Sequence, residues 1–184
     1  VAVISGPADV VCSRARVDGL RSAHAQAGLT VDPSLIRYGD FYVNGGYEHG
    51  KDLLSRPDRP TAIFAGSDMQ ALGVLRAARE LGLHVPRDLS VVGYDNLPLT
   101  EWIGPALTTV NQPLHAMAST ATRLLVELSR GEEPELLRVD LMLEPHDEVV
   151  GEPHDDHIAV RVAASPPVGP QVEDVMQIHV GQQR

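Results

Sequence analysis

Residues 61–95 read TAIFAGSDMQALGVLRAARELGLHVPRDLSVVGYD, and this stretch decides the fold class. The apolar run Thr61–Ala65 is typical of a buried strand, and Leu89–Tyr94 has the same character. Between them the spacing predicts an amphipathic helix over Asp68–Leu81, which Gly82 ends. Its apolar stripe consists of Leu72, Leu75, Ala78 and Leu81. A strand, a helix and a second strand in this order indicate two parallel strands joined by a helical crossover.

The same alternation extends back to residue 1. Val1–Ile4 is predicted to be a strand, followed by a helix over Ser13–Gln26 that Gly28 stops. A short strand is then predicted over Ser34–Tyr38 and a helix over Gly46–Ser55. Short apolar strands that alternate with amphipathic helices predict an α/β fold, a doubly wound parallel sheet covered on both faces.

The pattern changes after residue 95. Asp95–Pro113 is predicted to be a loop, and a helix follows as far as Arg130. The helix carries an apolar stripe that another surface must cover, made of Leu114, Met117, Ala121, Leu124 and Leu128. Beyond it, Val139–Leu143 and Ile158–Val162 have the apolar character of strands.

Composition narrows the class of protein. The 184 residues are 43% hydrophobic and only 4% aromatic, which is typical of an aliphatic α/β protein. The single cysteine, Cys12, excludes an internal disulfide, and no apolar run reaches the roughly 18 residues of a membrane span. We therefore expect a cytoplasmic protein with no membrane partner.

The formal net charge of −10 is concentrated at one end of the chain. Residues 1–130 contain 12 Lys and Arg against 13 Asp and Glu, whereas residues 131–184 contain 3 against 12. Neither part has the basic stripe that neutralises nucleic-acid phosphates. These 184 residues by themselves are therefore not expected to bind DNA.

Six blocks of sequence carry a family resemblance. The two strongest are Pro60–Asp68, with Ala71–Gly73 after it, and Val85–Asp95. The others are Ser5–Pro7, Arg14–Gly19, Tyr38–Phe41 and Pro105–Pro113. A single block would be weak, but six in series across residues 1–130 are specific. In order and spacing they resemble the LacI/GalR family of bacterial transcriptional regulators.

The resemblance implies an architecture and a division of the chain. Family members have a helix-turn-helix headpiece, a hinge and a two-lobed core like the periplasmic sugar-binding proteins, with the ligand between the lobes. Val1 then falls inside the C-terminal lobe, and the headpiece, hinge and most of the first lobe are not in the chain. The expected units are a C-terminal lobe (1–112), a crossover helix and strand of the N-terminal lobe (113–143), an acidic His-containing insertion (144–157), a closing strand (158–164) and a flexible tail (165–184).

Ligands of doubly wound sheets bind outside the carboxyl ends of the strands. Asp95 follows a strand there, and its carboxylate could accept hydrogen bonds from vicinal sugar hydroxyls, although an Asx-turn is the alternative. Arg16 could clamp a ligand oxygen and pair with Asp95, or could be a surface arginine. The resemblance places a ligand-binding aspartate and a cleft-facing arginine at these two positions.

Three further residues are candidates for the effector site. Phe41 could stack on a sugar ring or pack in the core, and Gln112 could reach the cleft or be solvated. Ser67 is a weaker candidate, because the family commonly has asparagine there, and Asp68 is assigned to capping the following helix. Trp102 could line the mouth of the cleft or pack beneath the loop.

No catalytic residue, metal ion or cofactor is predicted. His146, His154 and His157 lie among carboxylates, but their spacing fits zinc-site patterns poorly, and a solvated acidic loop is favoured. Cys12 lacks a histidine and an acid in any known nucleophile arrangement. Glycine-rich phosphate-binding motifs are absent from the sequence.

The leading hypothesis is an allosteric sensor that binds a small effector, a carbohydrate by the family resemblance. It would act as a homodimer when complete and would touch DNA only through the headpiece. A periplasmic sugar-binding protein of a transporter is the first alternative, and an upstream signal peptide rather than a helix-turn-helix would favour it. A small-substrate α/β hydrolase is the second, and it lacks a nucleophile and base.

We predict that the 184-residue chain shows no sequence-specific operator binding, because residues 1–130 are nearly neutral and lack a helix-turn-helix pattern. An electrophoretic mobility shift assay with this chain checks the prediction. Salt-sensitive retardation of one DNA sequence over its scrambled control would contradict it.

Overall fold

The sheet at the centre of the molecule has five parallel strands in the order β2-β1-β3-β4-β5. The computed structural model describes residues 1–102, 107–132, 160–163 and 177–180. The strands of this sheet are β1 (Ala2–Ser5), β2 (Ile36–Tyr38), β3 (Ala62–Ala65), β4 (Ser90–Asp95) and β5 (Thr108–Asn111). The helices are α1 (Val11–Gln26), α2 (Val43–Leu54), α3 (Asp68–Glu80) and α4 (Leu114–Ser129). Short 3₁₀ turns occupy Pro33–Leu35 and Pro98–Glu101.

Parallel pairing confirms the predicted α/β fold class. The chain steps from β1 outward to β2 and then back past β1 to β3, β4 and β5. Crossovers between parallel strands are right-handed, so this reversal of direction puts α1 on one face of the sheet and α2 and α3 on the other. Helices therefore cover both faces, as the doubly wound class requires.

The core lies between the sheet and the pair α2 and α3. Its buried side chains are aliphatic and come from both layers, among them Ile4, Leu53, Ile63, Val74, Leu89 and Val91. The two helices approach backbone to backbone at two glycines. A Cβ added at Gly73 would lie 2.1 Å from the carbonyl oxygen of Val43, and one added at Gly46 would lie 2.1 Å from that of Gln70. This approach fixes the first turn of α3 against the segment that follows β2.

Strand β5 corrects the prediction that Asp95–Pro113 is a loop. Thr108–Asn111 is short and polar, so it lacks the apolar run by which the other strands are recognised. Pairing with β4 makes it a strand, with Val92 opposite Thr108 and Asp95 opposite Asn111. The helix predicted over Gly46–Ser55 also begins earlier, at Val43.

Two strands lie outside the parallel sheet. Val160–Ala163, here β6, pairs antiparallel with Gln177–Val180, here β7. The second of these lies within the residues predicted to be a flexible tail. The strand predicted over 139–143 and the insertion 144–157 lie outside the described residues, and the predicted division of the chain into units stays a prediction. No helix in the described part is both long and apolar enough to cross a membrane.

Helix α4 keeps its apolar side chains in solvent, in accord with the expectation that its stripe needs a covering surface. Five of its apolar residues are between 41% and 66% exposed: Leu114, Met117, Leu125, Val126 and Leu128. The helix has no buried residue. The sequence of α4 favours a helix, but helices in proteins are stabilised mainly by packing. The described residues do not bury its apolar side chains.

We predict that the 184-residue chain self-associates through α4, because exposed apolar patches of this kind promote association. Leu125→Glu combined with Leu128→Lys should shift the chain toward monomer in sedimentation velocity and reduce binding of a hydrophobic dye. Leu29→Lys removes a single leucine that is 60% exposed elsewhere and serves as the control. A parent chain that is monomeric, unfolds cooperatively and binds no dye would overturn the prediction.

Candidate functional site

Asp95 occupies an unusual backbone conformation at the carboxyl end of β4. Its φ is 118° and that of Asn96 is 56°, so two consecutive residues with a Cβ atom have positive φ. Such conformations cost about 1–3 kcal/mol each for residues other than glycine and are concentrated at functional sites. The side chain of Asp95 is 26% exposed.

Two polar side chains meet the same oxygen of Asp95. Gln112 Nε2 donates to Oδ1 at 2.7 Å, and Arg16 Nη2 lies 3.9 Å from Oδ1. Burial raises the pKa of Asp95, the Arg16 cation partly offsets this, and the nearby Asp68 carboxylate raises it further. Three of the predicted site residues are thus brought together, although they come from α1, β4 and the segment after β5.

Two aromatic rings lie against the guanidinium group of Arg16. Its guanidinium carbon lies 4.1 Å from the ring centroid of Tyr94 and 5.3 Å from that of Phe41. Its side chain is only 12% exposed, and within the described ranges the buried Nε has no hydrogen-bond partner. Nη1 makes one long contact, 3.4 Å, to the Cys12 carbonyl oxygen. The cation–π contacts fix the charge in place while its donors stay available.

Phe41 lies over the backbone turn after β1. A Cβ added at Gly6 would fall 2.2 Å from Cε2 of the Phe41 ring, so only glycine admits the ring at this position. The ring is partly buried and presents the rest of its surface at the same edge of the sheet. Phe41 therefore packs on the protein and lies beside Arg16, while its stacking on a ligand stays a prediction.

The helix cap predicted at Asp68 is formed by Ser67 instead. Ser67, not Asp68, is the N-cap of α3, since its Oγ accepts from Gln70 N at 3.1 Å and donates to the Phe41 carbonyl oxygen at 2.8 Å. Asp68 is fully buried and accepts from Leu97 N at 2.7 Å and from the Thr109 hydroxyl. Burial raises the pKa of Asp68, and these hydrogen bonds oppose the rise. The prediction that Asp68 caps the helix is wrong, because the cap lies one residue earlier.

Sequence reasoning missed four residues around the site. Tyr94, Asn96 and Asn111 line the same strand ends, where Asn96 Nδ2 donates to Asn111 Oδ1 at 3.3 Å. Gln70 is buried and donates to the carbonyl oxygens of Ser5 and Asp40. The Asn111 position depends on β5, which the sequence did not reveal, whereas Tyr94 could have been found as the aromatic neighbour of Asp95. Trp102 is 85% exposed and so does not pack beneath its loop.

No cluster of three or more His, Cys, Asp and Glu side chains with metal-site geometry occurs within the described ranges. The histidines at 146, 154 and 157 lie outside those ranges. Cys12 is exposed in the first turn of α1.

Comparison with known proteins identifies the family. The family described as "Periplasmic binding protein-like domain" matches residues 1–145. The chain belongs to this family. The resemblance of the chain to LacI-family regulators is also confirmed, because its relatives include the repressor PurR and solved structures of LacI-family proteins.

Three relatives illustrate the match. The chain is 38% identical over 159 residues to the HTH-type transcriptional repressor PurR of Escherichia coli O139:H28. The matched residues are 85% of this chain and 47% of PurR. It is similar to the transcriptional regulator CelR-cellobiose complex, with 42% identity, a TM-score of 0.69 and coverage of 73% and 41%. It is similar to the lac repressor dimer bound to operator and the anti-inducer ONPF, with 33% identity, a TM-score of 0.66 and coverage of 71% and 45%. The chain spans about half the length of the curated relatives it matches.

We predict opposite effects on stability at the two aspartates. Asp68→Ala should lower the free energy of unfolding by about 1–3 kcal/mol, because it leaves the partly buried Leu97 N–H and the buried Thr109 hydroxyl without this acceptor. Asp95→Gly should raise it by about 0–1 kcal/mol, since glycine adopts the positive φ without strain. Urea denaturation followed by circular dichroism measures both.

Asp95→Ala is the control for this pair, because it removes the same carboxylate but keeps the Cβ atom that makes positive φ costly. It should be less stable than Asp95→Gly. Equal stabilities for the glycine and alanine variants would show that the backbone at Asp95 is not strained.

Proposed function

We propose that this chain is the effector-binding part of a LacI-type transcriptional regulator and that its effector is a carbohydrate. The observation that carries the proposal is the pairing of Arg16 and Asp95 at the carboxyl ends of the strands, with Nη2 and Oδ1 3.9 Å apart beside the rings of Phe41 and Tyr94. A hydrogen-bond donor, a charged acceptor and two aromatic rings therefore lie close together at this edge of the sheet.

The polar pair suits vicinal hydroxyl groups. A sugar hydroxyl both donates and accepts, so one hydroxyl could donate to the Asp95 carboxylate while it or its neighbour accepts from the Arg16 guanidinium. At 3.9 Å the two side chains do not satisfy one another with a short hydrogen bond, and the polar contacts that Asp95 makes with other described side chains both fall on Oδ1. Oδ2 and the Arg16 donors are the groups that we assign to the ligand.

The remaining candidates take supporting roles in the proposal. The Phe41 ring provides a flat apolar surface for the C–H face of a sugar. Gln112 orients the Asp95 carboxylate through its 2.7 Å hydrogen bond. Ser67 uses its hydroxyl both as donor and as acceptor within the protein, so we assign it to holding the Phe41 segment rather than to the ligand.

The relatives support this choice of effector and of activity. One solved relative is a complex of a transcriptional regulator with cellobiose, and another is a repressor dimer bound to operator. By analogy, the proposed regulator is a cytoplasmic homodimer that binds DNA through a segment outside these 184 residues. The effector would control DNA affinity by binding two arrangements of the lobes unequally, typically by about 1–3 kcal/mol, and no covalent step is required.

We predict that Asp95→Ala weakens carbohydrate binding by about one to two orders of magnitude, because a buried hydroxyl would lose a charged acceptor. Asp95→Asn should lose nearly as much, and Arg16→Met should follow. Isothermal titration with a panel that includes cellobiose, its monosaccharide and a polyol of equal size measures the affinities. A saturating sugar at 100 times its Kd should also raise stability by about 2.7 kcal/mol.

Arg37 and Asp52 supply the matched control. They form another arginine–aspartate pair, with Nη2 and Oδ2 2.7 Å apart. Arg37 lies on the outer strand β2 and Asp52 on α2. Asp52→Ala should leave sugar affinity unchanged. If no carbohydrate binds, or if Asp95→Ala binds as the parent does, the proposed effector class is wrong.

A further inference from the structure

Gln70 is a polar side chain in a place where a polar side chain is costly. It is fully buried, on the face of α3 that packs toward α2 and the strand ends. An apolar side chain of similar length, such as methionine, would occupy this volume without loss of hydration. The hydrogen bonds of the Gln70 amide must therefore offset its burial.

The Gln70 amide joins two segments of chain at the edge of the site. Its Nε2 donates to the carbonyl oxygen of Ser5, the last residue of β1, at 3.1 Å, and to the carbonyl oxygen of Asp40. Because both neighbours are acceptors, the amide must present its nitrogen to them. Its Oε1 is buried without a partner among the described residues. The orientation of the amide is thus dictated by the two carbonyl groups.

The bond to Asp40 belongs to a set that fixes the backbone on either side of Phe41. Gln70 holds the carbonyl of Asp40, Ser67 holds the carbonyl of Phe41, and the Asp40 carboxylate accepts from Tyr42 N at 3.0 Å. The backbone of Asp40, Phe41 and Tyr42 is thus held by side chains at the start of α3 and by the Asp40 carboxylate. The Phe41 ring, which borders the site, contributes none of these bonds.

Asp68, two residues before Gln70, binds a different segment of the site. Asp68 accepts from Leu97 N and from the Thr109 hydroxyl, which in turn accepts from Asn96 N at 3.2 Å. These contacts hold the turn that follows Asp95. The first turn of α3 therefore fastens two separate segments with two different side chains.

We propose that Gln70 is a positioning residue of the site, which holds the Phe41 ring where a ligand meets it without touching the ligand. Its role toward a ligand rests on the proposed effector function, whereas its hold on the Phe41 segment does not. Gln70 and Asp68 act on separate segments, so loss of either side chain loosens one segment and leaves the other in place.

Hydrogen–deuterium exchange of this chain without ligand tests the hold directly. Gln70→Met keeps the length of the side chain and removes its donors. It should speed amide exchange over residues 39–46 by about tenfold and leave residues 95–100 unchanged. Asp68→Ala is the matched control and should speed exchange over 95–100 and not over 39–46, because the Leu97 N–H and the Thr109 hydroxyl lose their acceptor.

The outcomes separate cleanly. If exchange over 39–46 is unchanged in Gln70→Met, the proposal is wrong. It is also wrong if exchange rises equally over residues 39–46, residues 95–100 and the amides of β3, because such a rise indicates general destabilisation. If Gln70→Met does not fold, Gln70→Asn, whose amide is withdrawn by one methylene, should show the same local rise over 39–46. A uniform rise in that variant also overturns the proposal.

A double-mutant cycle tests the consequence for binding. In a parent that binds a sugar, Gln70→Met should raise Kd by about tenfold, and by no further factor when Phe41→Ala is already present. Loss of affinity through general destabilisation would instead be equal in both backgrounds and would contradict a positioning role. A parent that binds no sugar refutes the proposed effector class, while the exchange result still decides whether Gln70 holds the segment.

Discussion

The backbone contact between α2 and α3 is the constraint on which the rest of the site depends. At Gly46 and Gly73 an added Cβ atom would overlap the backbone of the other helix, so no larger residue preserves the distance between them. The contact places the first turn of α3 beside the start of α2, and Gln70 and Ser67 thereby reach the segment of Phe41. Close helix packing in the core is thus transmitted directly into the placement of a loop at the surface.

The site combines rigid support with incomplete satisfaction of its polar groups. Burial raises the pKa of Asp95, whose backbone has a strained conformation. The buried Nε of Arg16 has no partner in the part of the chain that the structure describes. Backbone strain and buried polar atoms without partners lower the stability of the folded chain. A ligand that supplied hydrogen-bond partners to these atoms would offset part of that loss. The hydrogen bonds that Asp68 and Gln70 make with the surrounding loops are, by contrast, fully or partly buried. This division is what a preorganised binding site requires.

The strand ends could be predicted because their signals are local. Each central strand is a short apolar run and each helix an amphipathic repeat, so the parallel order and the position of Asp95 at a carboxyl end follow from adjacent residues. Strand β5 could not be found this way. It is a polar edge strand, made regular only by the hydrogen bonds that β4 offers it. With β5 missed, Asn111 could not be placed opposite Asp95.

The sequence by itself determined the α/β class, the order of strands and helices through β4, and the presence of Asp95, Arg16, Phe41 and Gln112 in segments that converge on one edge of the sheet. Only the tertiary structure decided how those side chains are used. Arg16 lies against Tyr94 and Phe41, Ser67 caps α3, and Asp68 and Gln70 fasten the loops. The physical reason is range: periodicity and turn chemistry act between near neighbours, whereas each of these roles depends on partners brought from distant parts of the chain by packing.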